Sequence, residues 1–245
     1  MHRSYIHQPE HARKAVLMIH GICSTPRHFD WLLPSFDDSW AVYNILLDGH
    51  GGSVQDFAHS SMEIWKKQTR ELLDELCRRY ETVLLVGYSM GTLLHLHALP
   101  GHPQVKGMLL LNTPMRPWVT GRMILRSRRM TKGKIRKENP HEAACRDDVS
   151  ISLTPPMMQY LGWLPRFWEL LGLCRYGRRH AMDINIPCYA YFGRKDELVS
   201  IRSAKYFRGN PHVTTRIFDS AGHFWFSPED KETVLQDLNQ LIKSM

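Results

Sequence analysis

The stretch Val83-Leu84-Leu85-Val86-Gly87-Tyr88-Ser89-Met90-Gly91 decides how this chain is read. Its apolar run has no alternation, which is the pattern of a parallel strand buried on both faces. Glycine, serine and glycine then follow at every second position, and residues 92–99 can continue as a helix. Ser89 therefore falls where strand turns sharply into helix, a geometry that lifts its hydroxyl clear of the backbone. Gly87 and Gly91 lack side chains because neighbouring main chain must pass close to them.

Outward from this elbow, apolar strands alternate with helical segments. Strands are predicted at 15–19, 40–47, 83–87, 105–111, 188–192 and 214–218, and helices at 27–36, 60–80, 92–99, 200–207 and 229–242. In 60–80 the residues Ile64, Leu72, Leu73 and Leu76 recur at helical spacing. Strands separated by helices imply a mostly parallel sheet with right-handed crossovers. The alternation breaks between 115 and 180, which reads as a mainly helical insertion. The predicted organisation is a core formed by 1–114 and 181–245, with 115–180 as a cap or lid.

The charge follows that division. The 66-residue insertion holds 14 Lys/Arg against 5 Asp/Glu, a net of +9, whereas the remainder carries 18 and 19, a net of −1. Its basic stretch, 122–137, can meet anionic lipid headgroups or simply solvate a helix. No nucleic-acid-binding motif accompanies the charge, so nucleic acid is not an expected partner. Cys23, Cys77, Cys145, Cys174 and Cys188 are odd in number and lack paired or metal-ligand spacing, which points to reduced thiols. No His/Asp/Glu cluster has the spacing of a metal site, and none is expected. Residues 1–14 lack the apolar core of a signal peptide, and no apolar run approaches the ~20 residues that cross a bilayer. A cytoplasmic protein is expected.

A serine hydroxyl is a poor nucleophile unless a base takes its proton, and that base needs an orienting acid. On a sheet of this kind the order is Ser, then Asp or Glu, then His, each in a loop at a strand's carboxyl end. Two loops qualify. Gly193-Arg194-Lys195-Asp196-Glu197 ends the 188–192 strand, and Ser220-Ala221-Gly222-His223-Phe224 follows the last one. Asp196 is the candidate acid, although it can also cap the next helix, and Asp183, Glu197 and Asp219 are weaker alternatives. His223 is the candidate base. Negative charge developing on a carbonyl oxygen needs fixed donors. The N–H of Met90, just after the serine, and that of Ile22, in the loop after the first strand, are the candidates. Gly21, Cys23, Tyr88, Trp163 and Phe224 are the candidate substrate contacts.

His20-Gly21, Asp48-Gly49-His50-Gly51, Gly87-Tyr88-Ser89-Met90-Gly91, Asp196 and Ala221-Gly222-His223, in this order, resemble the α/β-hydrolase superfamily. Within it the chain is similar to the bacterial carboxylesterase and monoacylglycerol-lipase-like branch. The resemblance spans residue 15 to the end except the insertion. It implies a triad of Ser89, His223 and Asp196, an oxyanion hole from Ile22 and Met90, no cofactor, and a scaffolding role for the Asp48–Gly51 loop. It further implies cleavage of short-to-medium acyl esters or monoacylglycerol-like lipids. A thioesterase, acyltransferase, amidase or carbon–carbon bond hydrolase could use the same triad, and a non-catalytic binding protein could keep the fold. The insertion's aromatic patch, with Trp163, Phe167 and Trp168, can line an acyl pocket or form the cap's own core.

Overall fold

The computed structural model describes residues 2–131, 134, 136, 138–151 and 157–245. Lys132, Gly133, Ile135 and Lys137 of the basic stretch, and the Thr154-Pro155-Pro156 segment, lie outside them. Seven strands form one sheet: β1 (Tyr5–His7), β2 (Lys14–Ile19), β3 (Trp40–Ile45), β4 (Thr82–Tyr88), β5 (Val105–Leu111), β6 (Cys188–Gly193) and β7 (Val213–Phe218). Their order across the sheet is β1-β3-β2-β4-β5-β6-β7, and all neighbours pair in parallel except β1 with β3.

The unbroken apolar runs are explained by two cores, one on each face. Ala15, Leu17 and Ile19 of β2 and Val83 and Leu85 of β4 enter one core, under α2 (Met62–Arg79), α3 (Met90–Ala98) and α6 (Leu164–His180). Val16 and Met18, with Leu84, Val86 and Tyr88, enter the other, where Val234, Leu238 and Leu241 of α7 (Pro228–Lys243) pack. Alternate side chains point to opposite faces, so a strand clothed on both sides must be apolar throughout.

Several elements differ from the sequence reading. The antiparallel edge strand β1 is three residues long, too short for a periodicity to register. The expected 27–36 helix is two 3₁₀ turns, Pro26–Phe29 and Leu33–Ser35, the second opened by Pro34. The segment after β6 is likewise a 3₁₀ turn, Ile201–Phe207. A separate short helix, α1 (Val54–His59), precedes α2 and is closed by a reciprocal Ser53–Asp56 capping box.

Between β5 and β6 lie α4 (Gly121–Thr131), α5 (Pro140–Asp148) and α6. The amino-terminal half of α6 faces the site described below. Its carboxyl-terminal half packs on α3 so tightly that a Cβ at Gly177 would lie 2.5 Å from a Leu93 methyl. Residues 116–120 are laced to the loop after β6. Trp118 N–H donates to Leu198 O (2.9 Å), Thr120 N–H to Glu197 O (3.1 Å) and Ser200 N–H to Arg116 O (3.0 Å).

Candidate active site

Ser89 sits between β4 and α3 with φ 50° and ψ −119°, a conformation that a non-glycine residue holds only when its surroundings enforce it. The glycines explain how. A Cβ at Gly91 would lie 1.9 Å from Ile19 O, so α3 can begin against the end of β2 only without one. A Cβ at Gly87 would meet the Thr92 main chain at 2.7–2.8 Å. Across the turn, a Cβ at Gly21 would lie 3.0 Å from Ser89 Cβ, which presses the loop after β2 directly onto the serine.

That loop is braced by two buried imidazoles. His20 Nδ1 donates to Gly21 O (2.8 Å) while its Nε2 accepts Leu47 N–H (3.1 Å). His50 Nδ1 donates to Asp48 O (3.1 Å) and its Nε2 accepts Cys23 N–H (3.1 Å). Burial holds His20 well below the ordinary histidine range and pulls His50 down to about 4, so both rings are neutral at pH 7. Trp65 Nε1 donates to Asp48 O (2.8 Å), so the Asp48–Gly51 loop anchors the loop that carries Ile22. The first N–H of a helix has no carbonyl four residues back within it, which leaves that of Met90 for a group beside Ser89.

On the opposite side, His223 and Asp196 come together. His223 Nδ1 lies 2.8 Å from Asp196 Oδ2, and both side chains are buried. The other carboxylate oxygen, Oδ1, accepts the N–H groups of Leu198 (2.8 Å) and Val199 (2.7 Å). Asp196 therefore caps the following turn with one oxygen and faces the His223 ring with the other. The His223 main chain is held as firmly. Its carbonyl accepts Tyr88 OH (3.0 Å) and Asn112 Nδ2 (3.0 Å). Its N–H points to Glu197 Oε2 at 3.4 Å. With Nδ1–H given to the carboxylate, Nε2 is the ring nitrogen left with a lone pair for a group in the cleft. Burial penalises the imidazolium, but the Asp196 charge and hydrogen bond, with Glu197 and Asp148, outweigh it and raise the His223 pKa above the ordinary value.

Ser89 and His223 both line a cleft of about 560 Å³. Ile22 and Phe224 line it too, with Trp118, Leu164, Phe167 and Trp168 from the insertion. Four predicted contacts are placed elsewhere. Trp163 packs against Phe57 and donates its Nε1–H to Val54 O (3.0 Å), which fixes it in the core beneath the insertion. Tyr88 is buried against Gly21, stacks on His28 at 3.6 Å and holds the His223 carbonyl. Cys23 has φ 59°, its carbonyl accepts Ser150 N–H (2.9 Å), and burial pushes its thiol far up. Gly21 backs Ser89 without reaching the cleft wall.

The chemistry-bearing residues that sequence reasoning passed over are second partners. Asn112 directly follows the 105–111 strand and, with φ 53°, turns to hold both the Gly222 carbonyl (3.2 Å) and that of His223. An Asn directly after an apolar strand tolerates that left-handed backbone, which was the available signal. Among the described residues no cysteine is joined in a disulfide, and no group of three His, Cys, Asp or Glu could hold a metal ion. No described helix is long and apolar enough to cross a membrane.

The family described as Serine aminopeptidase, S33 (Hydrolase_4) matches residues 10–227, nearly the whole chain. The chain belongs to that family. Its fold is that of an α/β-hydrolase. A thermostable monoacylglycerol lipase from Bacillus sp. (strain H-257) is 28% identical over 104 residues, a stretch that spans 42% of this chain and 42% of that relative. A structure of the metagenome-derived lipolytic enzymes LipS and LipT superposes with a TM-score of 0.74 at 17% identity, covering 99% of this chain and 98% of that one. The monoacylglycerol lipase of Paleococcus ferrophilus does so with 0.70 at 18% identity, covering 99% and 98%. At such identities the structural likeness carries the fold, and the hydrolase's chemistry is argued from its own residues.

Proposed function

We propose that this α/β-hydrolase cleaves carboxylic esters of short-to-medium acyl chains or monoacylglycerol-like lipids through an acyl-enzyme. The observation that carries the reading is the 2.8 Å His223–Asp196 bond at the rim of an apolar cleft that also holds Ser89. Ser89 Oγ attacks the ester carbonyl as His223 Nε2 accepts its proton. Asp196 keeps the imidazole in the Nδ1–H tautomer and stabilises its charged form. The N–H groups of Ile22 and Met90 meet the oxyanion. His223 then protonates the departing alkoxide and, as base again, activates the water that frees the acid.

The cleft wall supports an acyl substrate over a peptide. An aminopeptidase must neutralise a free α-ammonium group, and among the described residues the lining holds no carboxylate. The exterior supports delivery from a lipid surface. Ten of the fifteen exposed large apolar side chains among the described residues lie between 118 and 171, and several of them rim the cleft. Arg122 is exposed beside them on α4, although Arg126 and Arg129 of that helix are spent on Glu197 and Glu142.

A fluorophosphonate probe tests the nucleophile. Wild-type protein is expected to label and Ser89→Ala to stay unlabelled; an unlabelled wild type would overturn the reading in favour of a binding protein. A p-nitrophenyl ester series run beside acyl thioesters and amides tests the bond class, with esters expected to turn over fastest. Co-sedimentation with anionic vesicles at low salt tests the surface contact, and its absence there removes that part.

A further inference from the structure

Two carboxylates stand side by side at the end of β6, and the triad reading uses only the first. Glu197 is as buried as Asp196, with each residue 4% exposed. Its Oε1 accepts Arg126 Nη2 at 2.7 Å, and the Arg126 side chain is 92% buried. Its other oxygen, Oε2, faces the main-chain N–H of His223 at 3.4 Å. Arg126 comes from α4 in the insertion, so a charge pair joins the insertion to the segment that carries the imidazole.

We propose that Glu197 and Arg126 are positioning residues for the hydrolase reaction proposed above: their ion pair fixes the Gly222–His223 main chain and thereby aims the His223 ring at Ser89. The inference rests on that reaction.

Three observations carry it. The first concerns cost. A buried ion pair seldom stabilises a fold more than apolar side chains of the same volume would, because both ions lose their water. Arg126 even leaves its Nη1 buried without a hydrogen-bond partner. The pair is a poor device for stability and a good one for direction. The second is the fixing of Glu197 itself. Its carbonyl accepts Thr120 N–H, and its neighbour Leu198 accepts Trp118 N–H, so the carboxylate projects from a main chain that is laced down. The third is the crowding of Gly222. A Cβ there would lie 2.4 Å from His141 Nδ1 and 3.5 Å from Glu197 Oε2, so the segment is clamped between α5 and the acid loop.

The charged and titratable groups around the imidazole come from four elements, one of them β4, whose Tyr88 ring lies 5.2 Å from that of His223. Asp196 and Glu197 belong to the acid loop, Arg126 to α4, and Asp148 and His141 to α5. Glu197 is among those that raise the His223 pKa. Replacing it by glutamine removes one negative charge beside the imidazolium, so the ring must lose its proton at lower pH.

The test uses Glu197→Gln, Arg126→Met, Arg126→Lys and the double variant Arg126→Met with Glu197→Gln. Each is read by ester kinetics across pH and by NMR titration of the His223 ring. Glu197→Gln is expected to lower kcat at least about tenfold with KM nearly constant, since ~1 Å of misplacement can cost ~10²-fold. It should also move the ring titration down by about half a pH unit or more. Arg126→Met should lower kcat similarly, Arg126→Lys should keep most of it, and the double variant should be no worse than the poorer single one. Should Arg126→Met fail to fold, Arg126→Lys and Glu197→Gln carry the test. A folded Glu197→Gln with unchanged kcat and an unmoved ring titration would overturn the proposal, as would single losses that simply add. A wild type inert to esters and fluorophosphonate is a different failure, that of the hydrolase reading, and the ring titration still reads the coupling.

Discussion

The two sides of the cleft around Ser89 are held by opposite means. The loop after β2 is braced by His20 and His50, both neutral and both bonded to main chain. The loops after β6 and β7 are braced by charge: Asp196 on the His223 ring, Glu197 on its N–H, and Arg126 on Glu197. The difference matches what each side is proposed to do. Donors for an oxyanion must stay fixed and uncharged through turnover, which a non-titrating scaffold provides. A general base must become a cation for an instant, which neighbouring carboxylates favour.

The largest predicted effect removes the reacting groups that the two sides enclose. Ser89→Ala or His223→Ala should lower kcat by about 10⁶-fold by analogy with other triads, with an unchanged thermal midpoint by circular dichroism. Next, Asp196→Asn strikes the charged side alone. Its loss should be about 10⁴-fold in kcat, because an amide no longer enforces the Nδ1–H tautomer. His50→Phe strikes the neutral side. The aromatic packing on Phe57 and Trp65 survives, but Cys23 N–H loses its acceptor. Differential scanning calorimetry should register about 1–3 kcal/mol of lost stability, and the pH profile of the remaining activity should keep its shape.

The smallest effect sharpens the contrast. The base must be neutral to accept a proton, so kcat/KM should rise with pH through the His223 titration. Because the folded-state pKa is raised, the midpoint should lie above the ~6.5 of an unperturbed histidine. His50, neutral until about 4, should add no second limb between pH 5 and 8. A midpoint below 6 would contradict the charged environment.

Much of this was legible in residue order. The elbow, the acid and base loops, and Ile22 and Phe224 announce themselves because each sits at the end of an apolar strand, where side chains must converge on one edge. The parallel sheet was legible because burial on two faces forbids polar alternation. What escaped depended on distance across the chain. Arg126 finds Glu197 across 71 positions and His28 finds Asp148 across 120, and no spacing rule joins such pairs. Trp163 was read from its aromatic neighbours. Its indole N–H needed an acceptor, and Val54 O drew the ring away from the cleft. The basic stretch likewise reads as a solvated face until carboxylates from the acid loop and α5 claim Arg126 and Arg129.

The lacing of residues 116–120 onto 196–200 bears on how such enzymes can be recombined. A chimaera cut at 115 would sever a miniature antiparallel ribbon and loosen the very turn that carries the orienting carboxylate. A donor segment spliced in after Thr120, bringing its own counterpart for Glu197, would leave that ribbon whole and exchange only the walls of the binding chamber.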